Sequence, residues 1–72
     1  MFGGVRIKKI AGYRVMLELT QADLAKRLKI SRQAYHLKEK GNIPFKDNEK
    51  VLIRDLVKSV IPNITIDEIF FK

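Results

Sequence analysis

The sequence predicts an all-α fold of five short helices in a single domain spanning residues 1–72. Three observations predict it. Apolar residues recur at steps of three and four, as on one face of a helix, and no stretch alternates apolar and polar residues as a half-buried strand does. One helix-start pattern occurs at three places along the chain. The length of 72 residues also fits one domain.

Periodicity predicts the first and fourth helices. The first covers about Val5 to Glu18, and Gly12 within it costs about 1 kcal/mol relative to alanine. Its shared face consists of Ile7, Ile10, Tyr13, Arg14 and Leu17. The fourth begins at Lys46 or Asp47 and runs to Val60, before Pro62. Its apolar stripe consists of Leu52, Ile53, Leu56, Val57 and Val60.

Capping residues predict the starts of the other helices. Thr20 precedes the second helix (about Gln21–Leu28), with Asp23 three residues later. Ser31 precedes the third (about Arg32–Lys40), and Thr65 with Glu68 forms a capping box before the last turn (about Ile66–Phe70). Each cap satisfies free backbone N–H groups and contributes about 1 kcal/mol. Gly41 ends the third helix because glycine readily turns left-handed.

Composition excludes several classes of function. There is no cysteine and His36 is the only histidine, so we expect no disulfide, thiol nucleophile or metal site. The sequence has no run of about 18 apolar residues, which a membrane span would require. The N-terminus does not resemble a signal peptide, so we expect a cytoplasmic protein. Asp67 and Glu68 are better explained as a helix start than as an acid–base pair. We therefore expect no enzyme, cofactor or small-molecule substrate.

Charge indicates the class of partner. Fifteen Lys and Arg against eight Asp and Glu give a net charge of +7. On so small a body this favours polyanions, nucleic acid above all, although an acidic protein surface would also suit it.

The second and third helices are joined by a short turn, which favours a steep crossing. The second buries Leu24, Ala25 and Leu28, and the third buries Tyr35. The opposite side of the third helix then faces solvent, as a helix that enters a major groove must. This side carries Arg32, Gln33, His36, Leu37 and Lys40.

The stretch LTQADLAKRLKISRQAYHLKEKG, residues 19–41, resembles the helix-turn-helix of the lambda-repressor-like family, the phage Cro and repressor type. The stretch PNITIDEIF resembles that family's final helix. The resemblance implies that Arg32 and Gln33 read guanine and adenine, with Leu37 at a further base-reading position. It implies phosphate contacts from Gln21, Lys40, Asn42 and Lys46. It also implies an ion pair between Arg14 and Glu39.

Three positions depart from the family pattern. Lys29 stands where glycine is usual, and a non-glycine residue in a left-handed conformation costs about 1–2 kcal/mol. Lys38 stands where an apolar residue is usual, and the Tyr35 ring is expected to fill that space. Leu37 cannot hydrogen-bond a base, although it can touch a thymine methyl group. With His36 and the edge of Tyr35, Leu37 forms either a protein contact or an ordinary surface position.

Two functions remain open. The first is a Cro-like transcription regulator of a phage lysis/lysogeny switch that binds double-stranded operator DNA in the bacterial host, near the nucleoid. One arrangement for it is a homodimer through Ile69, Phe70 and Phe71. In the other arrangement, both phenylalanines fold inward into the core. The second is an antirepressor that binds the DNA-binding domain of a phage repressor, using Arg32, Gln33, His36, Leu37 and Lys40.

Overall fold

The computed structural model describes residues 9–70 and shows five α-helices with no strand among these residues. The helices are α1 (Lys9–Met16), α2 (Gln21–Leu28), α3 (Arg32–Lys40), α4 (Asp47–Val57) and α5 (Ile66–Phe70). The all-α prediction is confirmed, and the bounds of α2, α3 and α5 agree with those predicted. The predicted start at Val5, Ile7 on the first face, and Phe71 lie outside the described residues.

The three predicted caps are present. Thr20 Oγ1 accepts a hydrogen bond from the Asp23 N–H at 3.0 Å, and Asp23 Oδ2 accepts one from the Thr20 N–H at 3.0 Å. Ser31 Oγ accepts from the Ala34 N–H at 3.0 Å. Thr65 and Glu68 exchange the same two bonds, at 3.1 and 3.2 Å. These short-range bonds fix where α2, α3 and α5 begin.

Left-handed residues end α2 and α3. Gly41 has φ 92°, and its N–H donates to carbonyl groups of the last turn of α3. Lys29 has φ 62° and ψ 41°, so the position that departs from the family pattern does adopt the left-handed conformation. The chain then passes through Ile30 and Ser31 directly into α3.

The predicted ends of α1 and α4 were wrong. α1 ends at Met16, and Glu18, expected to be helical, is left-handed with φ 60°. α4 ends at Val57 because the Ser59 and Val60 N–H groups donate to carbonyl groups three residues earlier. This tightens the chain into a turn before Pro62 is reached. Val60 is therefore 48 % exposed and does not belong to the apolar stripe.

One hydrophobic core joins the five helices. Its buried members are Ile10, Leu24, Ala25, Leu28, Tyr35, Phe45, Ile53, Val57, Ile64 and Ile69. Leu19 and Ile30, the residues before two of the caps, pack against it. α2 packs on α3, and α5 packs on both α1 and α4. No helix in the described part of the chain is long and apolar enough to cross a membrane.

Candidate nucleic-acid interface

α3 has a polar outer face and a buried inner face. Arg32, Gln33, His36 and Lys40 are exposed, and with Leu37 they occupy an arc of about 140° at 3.6 residues per turn. Tyr35, Lys38 and Glu39 lie on the other side and are buried. The outward placement of Arg32 and Gln33 agrees with the sequence interpretation, whereas Leu37 is half-buried at the edge of the arc.

Glu39 is the centre of a hydrogen-bond network behind this face. Its carboxylate accepts from Arg14 Nε at 2.9 Å, Gln21 Nε2 at 2.7 Å and Tyr35 Oη at 2.7 Å. Arg14 Nη1 also donates to the Leu19 carbonyl oxygen at 2.9 Å. Arg14 and Glu39, predicted as an ion pair, are thus in direct contact, and the network ties α1 and α2 to the last turn of α3.

The network keeps Glu39 ionised. Burial raises the pKa of its carboxyl group, but the hydrogen bonds from Arg14, Tyr35 and Gln21 outweigh burial, and the pKa lies below its ordinary value. The pKa of Tyr35 is raised, first by burial and then by its hydrogen bond to the Glu39 carboxylate. At neutral pH a neutral tyrosine therefore donates to a charged carboxylate, which is the stronger kind of hydrogen bond.

A second tie joins α3 to α4. Lys38 Nζ lies 2.6 Å from Glu49 Oε1, and both side chains are buried, with 8 % and 5 % exposure. The same Glu49 oxygen accepts from the Lys46 N–H at 2.9 Å, which connects the start of α4. The pKa of Glu49 is lowered: burial raises it, but the bonds from Lys38 and Lys46 prevail.

This pair was not predicted from the sequence. The Tyr35 ring was expected to fill the space at Lys38, but Lys38 itself occupies a buried position. The available signal was a lysine on the inner side of α3 together with a glutamate in the first turn of α4. Nothing local showed that the two meet, because eleven residues separate them.

The predicted phosphate ligands lie at the ends of the helices around α3. Asn42 and Lys46 are exposed beyond its C-terminus, and Lys40 is exposed in its last turn. Gln21 is half-buried, and its amide donates to Glu39. Since a primary amide carries two N–H groups, Gln21 retains one donor. Its position braces α3 whether or not it also meets a phosphate.

The apolar surface patch predicted around Leu37 is smaller in the structure. Tyr35 is 0 % exposed, so its edge contributes nothing to a surface patch with His36 and Leu37. Tyr35 is held inside because its hydroxyl group binds Glu39. The apolar patch inferred from the sequence is therefore reduced to the exposed part of Leu37.

The predicted dimer segment also changes. Ile69 is 2 % exposed and belongs to the core, so its role as a dimer contact was wrong. Phe70 is half-buried, its ring centroid 5.4 Å from that of Phe45, with Lys50 Nζ 5.8 Å above the ring. Phe71 lies outside the described residues, so the dimer prediction keeps only Phe70 and Phe71.

No group of three or more His, Cys, Asp or Glu within residues 9–70 is arranged to hold a metal ion. Comparisons of the chain with protein-family models, with curated proteins and with solved structures find no match. The candidate interface is α3, a helix tied on its inner side to α1, α2 and α4, with an arginine and a glutamine exposed at its start.

Proposed function

We propose that this protein is a small helix-turn-helix transcription regulator that binds double-stranded operator DNA through α3. The observation that carries the proposal is the placement of Arg32 and Gln33. Both are exposed in the first turn of α3, while Tyr35, Lys38 and Glu39 hold the back of the same helix. A recognition helix needs both properties, because base reading depends on side chains held at a defined angle to the groove.

The chemistry of the face suits base edges and phosphates. The Arg32 guanidinium can donate two bonds to O6 and N7 of guanine, and the Gln33 amide can pair with N6 and N7 of adenine. Lys40, Asn42 and Lys46 would meet phosphates on one flank. The net charge of +7 supports attraction to DNA at long range.

The setting that fits this proposal is the one that the family resemblance implies. The protein would be a Cro-like regulator in a phage lysis/lysogeny switch, acting on DNA in the cytoplasm of a bacterial host. A homodimer would place two α3 helices on half-sites about one helical turn apart. Phe70 and Phe71 are the residues of the predicted dimer segment that remain for this contact.

Binding to duplex DNA tests the proposal. Selection from a random duplex library, followed by fluorescence anisotropy, should yield a preferred sequence whose affinity falls steeply with salt. Arg32→Ala and Gln33→Ala should each weaken binding to that sequence by about 1–3 kcal/mol and relax the preference at one position.

Lys58→Ala is the matched control, because Lys58 is an exposed cation beyond the end of α4. It should change affinity much less than Arg32→Ala and leave sequence preference intact. Weak binding that is equal for all sequences and insensitive to salt would contradict the proposal.

The second candidate is an antirepressor that binds the DNA-binding domain of a phage repressor through the same face. Leu37 favours it, since a half-buried leucine beside exposed His36 cannot hydrogen-bond a base. The basic face would then meet acidic groups on the repressor. Co-expression with a repressor encoded beside it, followed by size-exclusion chromatography, separates the candidates: co-elution without DNA supports the antirepressor, and two independent peaks exclude it for that repressor.

A further inference from the structure

We propose that Lys29, in the turn between α2 and α3, contacts a phosphate of the bound DNA. This inference rests on the proposed function and adds one phosphate-binding residue near the N-terminus of α3. The phosphate-binding residues proposed above are Lys40, Asn42 and Lys46, which lie in the last turn of α3 or beyond it.

The backbone at Lys29 is unfavourable for lysine. Its φ of 62° and ψ of 41° lie in the left-handed region, where an L side chain crowds its own carbonyl group and glycine does not. Its N–H donates to the Lys26 carbonyl oxygen at 3.1 Å, a bond that glycine would make equally well. The backbone hydrogen bond of the turn therefore does not require a side chain at this position.

The Lys29 side chain also forms no polar contact within the described part of the fold. It is exposed, and no hydrogen bond or ion pair joins it to another residue in the 9–70 range. A residue held in an unfavourable conformation without an internal partner suggests a role outside the fold. For a lysine, that role is a contact with an anion.

The position of Lys29 identifies the anion. It stands three residues before Arg32, so their Cα atoms are at most about 10 Å apart. Between them, Ile30 packs against the core and Ser31 caps α3, which fixes the turn relative to the helix. When Arg32 reaches a base, the Lys29 ammonium group is therefore carried to the edge of the same groove, where the phosphates lie.

Glu18 supplies a matched control. It is the other non-glycine residue with positive φ in the described chain, at 60°, and it lies in the turn between α1 and α2. It is also exposed but carries a negative charge. Glycine at either position relieves the same kind of backbone strain, but only Lys29→Gly removes a cation beside α3.

The experiment measures stability and salt dependence on the same variants. Lys29→Gly should lower the unfolding equilibrium constant about fivefold in urea titrations. The slope of log affinity against log salt, measured by anisotropy on duplex DNA between about 50 and 200 mM salt, should become shallower by about 0.9. Lys29→Arg should keep the wild-type slope. Glu18→Gly should stabilise to a similar degree without making the slope shallower.

The outcomes separate this inference from the proposed function. A steep wild-type slope that Lys29→Gly leaves unchanged would overturn the phosphate contact and leave DNA binding standing. A wild-type protein that does not bind duplex DNA would overturn both. A more stable Lys29→Gly variant with a shallower slope would support the contact, because a general loss of folding cannot produce that combination.

Discussion

Replacing Glu39 with glutamine should destabilise the fold by about 3 kcal/mol. The carboxylate accepts bonds from Arg14, Gln21 and Tyr35 and is 8 % exposed, whereas the Arg14 side chain is 15 % exposed. Glutamine keeps the shape but leaves the guanidinium group without its counter-charge. Removing one partner of a buried ion pair costs about 3–5 kcal/mol, and the partial exposure of Arg14 places the expected loss at the lower end.

Urea and thermal unfolding followed by circular dichroism at pH 7 will measure this loss. For a domain of this length, 1 kcal/mol shifts the midpoint temperature by about 4–8 °C, so Tm should fall by roughly 12–24 °C. Asp55→Asn is the matched control. It removes an exposed carboxylate that lies 3.0 Å from Arg54, and such a pair contributes less than about 1 kcal/mol.

A double variant tests whether the charge pair is the cause. Arg14→Met combined with Glu39→Gln should cost less than the sum of the two single changes, by about 1–3 kcal/mol. Equal losses for Glu39→Gln and Asp55→Asn would refute the reasoning. Strict additivity of the two single changes would refute it as well, because the network would then contribute only packing.

Four further predictions concern stability. Gly12→Ala should stabilise by about 0.5–1 kcal/mol in urea titrations, because the added Cβ meets no atom within 4 Å apart from the neighbouring residues and the backbone of its own helix, and a destabilised variant would contradict this. Lys38→Met should cost about 3–5 kcal/mol because it leaves the Glu49 charge buried, and a further Glu49→Leu change should restore much of the loss. Glu39 and Glu49 have lowered folded pKa values, so their stabilisation should be present above about pH 5 and be lost as pH falls through and below about 4.3. The raised pKa of Tyr35 should likewise make stability fall as pH rises above about 10, and unfolding curves from pH 2 to 11 check both directions.

Helix starts could be predicted from the sequence because they depend on neighbouring residues. The Thr20, Ser31 and Thr65 caps act within three residues, and the local pattern alone predicts them. The left-handed conformation of Gly41 follows from its residue type, whereas that of Lys29 was indicated only by the family resemblance. Bounds of α2, α3 and α5 were correct for this reason.

The helix ends and the buried charges were harder to predict. α4 stops at Val57 because Ser59 and Val60 form tighter backbone bonds, although the apolar periodicity continues to Val60. The burial of Lys38 depends on Glu49, which lies on another helix. The burial of Lys38 is not encoded within a window of a few residues, since it depends on how α3 and α4 pack.

The candidate interface was predictable in part. The exposure of Arg32 and Gln33 follows from the period of α3 once Tyr35 is placed inside. The full burial of Ile69 does not follow from local sequence, because it depends on how α5 packs on α1 and α4.

The position of α5 has a consequence for folding during synthesis. Ile64 and Ile69 complete the core, and α5 covers both α1 and α4. While α5 is still inside the ribosomal tunnel, the helices that have already emerged expose apolar side chains that α5 will later cover. The cooperative core can therefore close only after the last helix has left the ribosome, and a nascent chain stalled before that point should be readily cleaved by proteases.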